Sequence, residues 1–199
     1  MTNNLLISTG AIVGIVVAVV VVILVIAIVS WWIKTWNALV RLDNKAEEAF
    51  KTIDVYLKKR YDLIPNLVET VKGYAKHESQ TLEKVVAARN ASGVAQTAEQ
   101  KAAAANQLNS SLRTLFTAVS ESYPELRANT NFLDLQNQLK GIENELESAR
   151  RYYNGVVKAF NIKTEEFPSS IVAKKKGCEK KEYFELESPE ERQNVKVQF

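Results

Sequence analysis

The sequence predicts an all-α fold: a single N-terminal transmembrane helix continuous with an elongated up-and-down antiparallel four-helix bundle, followed by an irregular C-terminal tail. Three observations carry this expectation. Residues 11–29 hold no charge and are almost wholly Val, Ile, Leu and Ala. Apolar residues then recur at steps of three and four through four later segments, the period of a helix with one buried face. No stretch alternates long enough to compete as a strand. The expected organisation is a short tail over 1–10, the membrane helix over 11–33, the bundle over 34–163 and the C-terminal tail over 164–199.

Backbone groups in lipid must be satisfied within the segment, so an isolated apolar run there is a helix despite its β-branched excess. At 1.5 Å per residue, Ala11 to Val29 reaches roughly 28 Å, the thickness of a hydrocarbon core. Its fifteen Val, Ile and Leu residues favour insertion by about 6 kcal/mol, near twice the cost of one central charge. A cleaved leader is disfavoured, because the run lacks a basic start and meets bulky residues where small ones would be cut. Met1 to Gly10 carries no cation, whereas Lys34, Arg41 and Lys45 follow the span. That asymmetry puts the N-terminus outside and the bundle in the cytoplasm. Trp31, Trp32 and Trp36, with Lys34, suit the headgroup level on that side. Gly10 and Gly14 have the GxxxG spacing, which either seats a helix dimer or is incidental.

With no strong breaker before Pro65, the first helix is expected to run on to about Ala75. Its stripe is Ala46, Phe50, Ile53, Leu57, Ile64, Leu67, Val71 and Tyr74, widened by Leu39, Leu42, Tyr61 and Val68. Glu47 with Lys51 and Asp54 with Lys58 make i, i+4 pairs on the outer face. Pro65 is expected to bend the helix. A second helix is expected over 78–90, with Ala91 to Thr97 as the break. Thr97 and Gln100 form a capping box for the third, which carries Ala105, Leu108, Leu112, Leu115 and Val119 and stops near Ser122 because Pro124 follows Tyr123. The fourth starts near Thr130 and carries Phe132, Leu135, Leu139, Ile142, Leu146, Ala149, Tyr153, Val156 and Phe160. Short breaks between such segments predict antiparallel neighbours.

Phe167-Pro168 is read as the helix stop. Beyond it Lys174, Lys175, Lys176, Lys180 and Lys181 form a basic cluster and Glu182 to Glu191 an acidic one. If the helices alternate direction, the cluster returns to the membrane side and offers a contact to anionic lipid; an exposed tail whose acids cancel its bases is the alternative.

Composition excludes several classes. A net charge of +3 without a long cationic stripe argues against nucleic acid. Cys178 is alone, so no intrachain disulfide or cysteine-based zinc site forms. His77 is also alone and is read as a solvated turn residue. No Gly-rich phosphate loop, metal set or nucleophile–base spacing stands out, so neither cofactor, metal nor catalytic residue is assigned.

Arg60 takes a core slot, and its helical neighbours Tyr56, Leu57, Leu63 and Ile64 include no acid. Its charge needs a partner from another helix or a path to water. Pairing the first and last helices antiparallel, with Trp36 near Lys163, sets Arg60 opposite Glu143. An Arg60–Glu143 pair that fixes register and snorkelling of Arg60 are the two readings left open.

Lys58 to Glu78, KKRYDLIPNLVETVKGYAKHE, resembles the signature of the LemA family of bacterial membrane proteins. The likeness continues in Leu126 to Gln136, Tyr153-Asn154, Phe160-Asn161, Phe167-Pro168 and Glu182 to Glu185. The resemblance implies an N-terminal anchor, a bundle of long helices and, from some members, a part in organising intracellular membranes. Members with lipoprotein-like leaders face the other side of a membrane, so family topology varies. Motif positions here include Arg60, Tyr61, Asp62, Pro65, Asn66, Tyr153 and Asn154, and no catalytic role attaches to any of them. Physically they read as architecture. Tyr61 and Tyr153 bury rings with bonded hydroxyls, Asn66 and Asn154 bridge helices, and Pro65 sets a bend.

The function expected is a non-enzymatic, membrane-anchored scaffold that self-associates and organises membrane or membrane proteins. Its partners would be lipids through the anchor, further copies of itself and an unidentified membrane protein. The alternative is an adaptor regulating a membrane protease or signalling protein by helix-in-groove contact.

Overall fold

The computed structural model describes residues 9–74 and 79–184. Ala75, His77 and Glu78, the acidic run beyond Phe184 and the first eight residues lie outside them, and with them the expectation for His77. The described residues are helical and contain no strand: α1 (Thr9–Lys72), α2 (Ser79–Val94), α3 (Ala98–Ser122), α4 (Pro124–Arg127), α5 (Thr130–Glu165) and α6 (Ser169–Lys176). The chain divides into two compact units. One holds the chain up to Asp43 and Phe160–Lys180; the other holds Asn44–Ala159 and the chain from Lys181.

In the first unit α1 begins as a bare apolar rod. The large apolar residues from Ile12 to Val29 are 48–61% exposed, and none of this stretch is covered by protein. It is long and apolar enough to cross a membrane. Cover begins at Trp31 and Trp32, which pack on a cluster of Leu39, Phe160, Val172 and Ala173. α6 supplies the last two, so the tail is not irregular here as expected. After the Phe167–Pro168 turn, whose peptide is cis, Val172 and Ala173 find an apolar surface to bury against. The helix then ends in a Schellman arrangement: Gly177 is left-handed (φ 74°, ψ 32°), and the Cys178 and Gly177 N–H groups donate to Ala173 and Lys174 carbonyls.

The second unit is a four-helix bundle. Arg60 and Tyr56 of α1 meet Glu143 and Glu145 of α5, so those helices run antiparallel. Arg89 of α2 reaches back to Tyr61, again antiparallel, whereas Lys101 and Asn109 of α3 meet Asp54 and Arg60 in parallel order. The interior forms two apolar clusters. One gathers Ile64, Leu67, Val71, Leu82, Val85, Leu112, Leu115 and Phe132; the other gathers Ala46, Ile53, Ala102, Leu146, Tyr153 and Phe184.

Local signals explain most boundaries. The Thr97 hydroxyl accepts from the Gln100 N–H at 3.2 Å and the Gln100 side chain accepts from the Thr97 N–H, a reciprocal cap. Asn129 Oδ1 accepts from the Phe132 N–H and starts α5. α2 overruns its expected end at Asn90 and continues to Val94. Ser92 donates to the Ala88 carbonyl one turn back, and Gly93 sits where a Cβ would lie 3.1 Å from the Tyr61 ring. The Ser92 bond is internal to α2, whereas Gly93 lets the helix approach Tyr61 closely. Tyr74, expected in the core stripe, is 46% exposed, and its hydroxyl accepts from Asn129. Asp54 does not pair with Lys58: it is half-buried and bonds Lys101, leaving Lys58 to Asp62 at 2.9 Å.

Replacing the cap, Thr97→Ala, is expected to destabilise the chain by about 1 kcal/mol. Denaturant unfolding in detergent, followed by circular dichroism, measures this. Thr114→Ala, on an exposed face of α3, serves as the control, with an effect under about 0.5 kcal/mol.

Candidate functional site: a buried polar layer and a pinned tail

Between the two apolar clusters lies a charged layer. Arg60 is 3% exposed and Arg150 4%, and each reaches the same carboxylate. Arg60 Nη1 donates to Glu143 Oε2 at 2.9 Å, and Arg60 Nη2 donates to Asn109 Oδ1. The amide of Asn109 donates in turn to Glu143 Oε1 at 3.1 Å, closing a ring across α1, α3 and α5. Arg150 Nη2 lies 3.6 Å from that oxygen, close enough for attraction but not for a good hydrogen bond. Arg60 Nε and Arg150 Nε and Nη2 make no hydrogen bond within the protein.

Both cations draw chiefly on Glu143, with Glu147 a lesser attraction at Arg150, and burial is incompletely compensated. Desolvation pushes both guanidinium pKa values below the ordinary arginine value; Glu143 opposes this in each, and the second arginine adds to it at Arg60. The Glu143 side chain keeps 33% exposure, which lets water solvate part of the layer. Arginine stays charged under these conditions. The layer can hold helices in one alignment, and it contains no nucleophile beside a base. Among the described residues no three His, Cys, Asp or Glu side chains gather as a metal set.

Arg150 also lies under the Phe184 ring, 5.3 Å from its centroid, and this joins the layer to the tail. Asn154 grips Phe184 by both backbone groups: Phe184 N–H to Oδ1 at 2.8 Å and Nδ2 to the Phe184 carbonyl at 3.1 Å. The Tyr153 hydroxyl donates to the Glu182 carbonyl at 3.0 Å, and Phe184 is 2% exposed. An amide side chain here does what a neighbouring strand would do, while the aromatic ring fills the space behind it. Asn154 thus bridges α5 to the tail, not helix to helix as expected.

The other motif positions separate. The Tyr61 ring is covered by Arg89, 3.6 Å away. Pro65 and Asn66 face solvent, so Asn66 bridges nothing; α1 continues through Pro65, which buries Ile64 and Leu67 beside it. Lys34 is exposed and Trp36 partly so. The basic cluster is not one free patch. Lys176 pairs with Asp43 at 3.7 Å, Lys180 with Glu165 at 2.9 Å, and Lys181 is also engaged; Lys174 and Lys175 are exposed on α6. Asn109, Arg150 and Phe184 were not singled out from the sequence. Arg150 stands four after Leu146 and three before Tyr153, the same stripe logic that exposes Arg60.

Glu143→Ala should strand two buried guanidinium groups and destabilise the chain by about 3 kcal/mol, far more than Lys51→Ala at the exposed Glu47 pair, where little change is expected. Chemical unfolding of the three chains decides this. The Tyr153 hydroxyl sits above its ordinary 10.0 because it is buried and, secondarily, because Glu182 is near. The fold thus favours the neutral hydroxyl: its contribution is whole below the unfolded value and fades as pH climbs through the raised folded one. Thermal scans above pH 10 should show a steeper loss for the wild type than for Tyr153→Phe, and parallel curves would refute it.

The model of the family described as LemA family matches residues 49–199, which includes every residue of the charged layer and the tail grip. Protein LemA of Metamycoplasma hominis is 25% identical over 139 residues, covering 70% of this chain. The matched part is 64% of that relative, so the chain spans less than two thirds of its length. A candidate membrane helix ahead of such a match fits a membrane-associated protein. With the match running over three quarters of its length, the chain belongs to the LemA family.

Proposed function

We propose that the protein is a non-enzymatic, membrane-anchored helical scaffold that self-associates and organises membrane or membrane proteins. The observation that supports this most is that one helix, α1, carries both the uncovered apolar run and the first core stripe of the bundle. A chain built so cannot leave the bilayer without exposing some nineteen apolar residues to water, at roughly 0.4 kcal/mol for each Val, Ile or Leu. Its surface therefore works on what lies in or along the same membrane. The cation asymmetry around the run favours a cytoplasmic bundle in a bacterial cell membrane. Buried ionisable groups are spent on one another, which suits a structural part better than a reactive one.

An adaptor is the second reading, supported by an open groove of ≈ 520 Å³ lined by Val68, Leu82 and Val86 with Lys72 and Glu83 at its rim. An amphipathic helix of a membrane protein fits such a surface. Mass photometry of the detergent-extracted chain separates the two. Discrete multimers of the purified chain are expected for the scaffold. A monomer at every concentration, gaining mass only with a second protein, would replace it with the adaptor.

A further inference from the structure

Three large apolar side chains of the first unit stand in solvent within ten residues: Phe167 at 79%, Ile171 at 51% and Ile162 at 49%. Single exposed apolar residues are ordinary. This group differs in its place. α6 packs beside α1 through Val172 and Ala173, in the cluster that Trp31, Trp32, Leu39 and Leu42 share. The Lys176–Asp43 pair fixes the C-terminal end of α6 at Asp43, the end farther from the apolar run. Going back along α6 by its own length, about 10 Å, returns to the level of Trp36. The Phe167–Pro168 turn thus lies toward the apolar run, just beyond Ile33, after which Lys34 is the first charge. The headgroup zone is about 5–7 Å deep on each side of the hydrocarbon, and aromatic rings are stable there.

We propose that the α5–α6 turn is a second membrane contact: the Phe167 ring enters the interfacial zone of the same leaflet from which α1 emerges. The inference rests on reading α1 as the anchor. It makes the anchoring bipartite and moves the contact away from the lysines, of which Lys176 and Lys180 are already paired. Lys174 and Lys175, exposed farther along α6, stand above the surface, where anionic headgroups attract them. The ligand is the bilayer interface itself.

The test uses the full chain in phosphatidylcholine–phosphatidylglycerol bilayers at low protein density, with 4-cyanophenylalanine placed in turn at Leu24, Lys140 and Phe167. All three are exposed, and at Phe167 the probe is nearly isosteric. The nitrile band reads hydration. A dehydrated band at 167 and at 24, with a hydrated one at 140, is expected. A band at 167 matching that at 140, with 24 still dehydrated, would overturn the second contact and leave the anchor standing. Hydrated bands at both 24 and 167 would remove the anchor and this inference together. Dehydration at 167 only at high protein density would assign the ring to a second copy, against the proposal.

Discussion

One carboxylate, that of Glu143, holds the interior of the bundle in its alignment. It takes a hydrogen bond from Arg60 of α1 and another from Asn109 of α3, and it attracts Arg150 of its own helix. Through Arg150 it also reaches the tail, because Phe184 covers that guanidinium. An apolar core is indifferent to small slips between helices, since Leu against Val packs nearly as well one turn along. A buried arginine is not indifferent. Slipping α5 by the turn that sets Leu139 in the place of Glu143 would leave Arg60 without its anion, at several kcal/mol.

The magnitudes decide what kind of contribution this is. Fully burying one Leu or Val is worth about 1.5–3 kcal/mol, and the two apolar clusters hold many such residues. The charged layer, with two arginines drawing chiefly on one carboxylate and three guanidinium nitrogens unbonded within the protein, adds little net stability by comparison. Its effect is selective: it penalises wrong alignments more than it favours the right one. The tail grip is of the opposite kind, with a fully buried ring and three good hydrogen bonds gained by ordering only a few residues.

Legibility followed the range of the forces involved. The continuity of α1, the Thr97 cap and the Tyr123–Pro124 stop depend on neighbours in sequence, and they could be read from it. The Arg60–Glu143 contact was reachable because antiparallel counting needs only two helix ends. Where a distant residue decides, the sequence was mute. Gly93 looks like a break until the Tyr61 ring is set against it, and Asp54 looks like a partner for Lys58 until α3 brings Lys101. Phe167-Pro168 stops a helix as expected, but Ser169 onward resumes one because Leu39 and Phe160 offer Val172 and Ala173 a surface. Asn109 was not legible because no sequence signal set the register of α3 against α1 and α5.

A double-mutant cycle on Arg60 and Glu143 tests the alignment account most directly. Arg60→Met, Glu143→Leu and the pair are unfolded in parallel. The account predicts single changes that are each costly and a double change that costs less than their sum by more than about 1 kcal/mol, Arg150 still being left without Glu143. Effects that simply add, within about 0.3 kcal/mol, would show that the two side chains are neighbours without being partners.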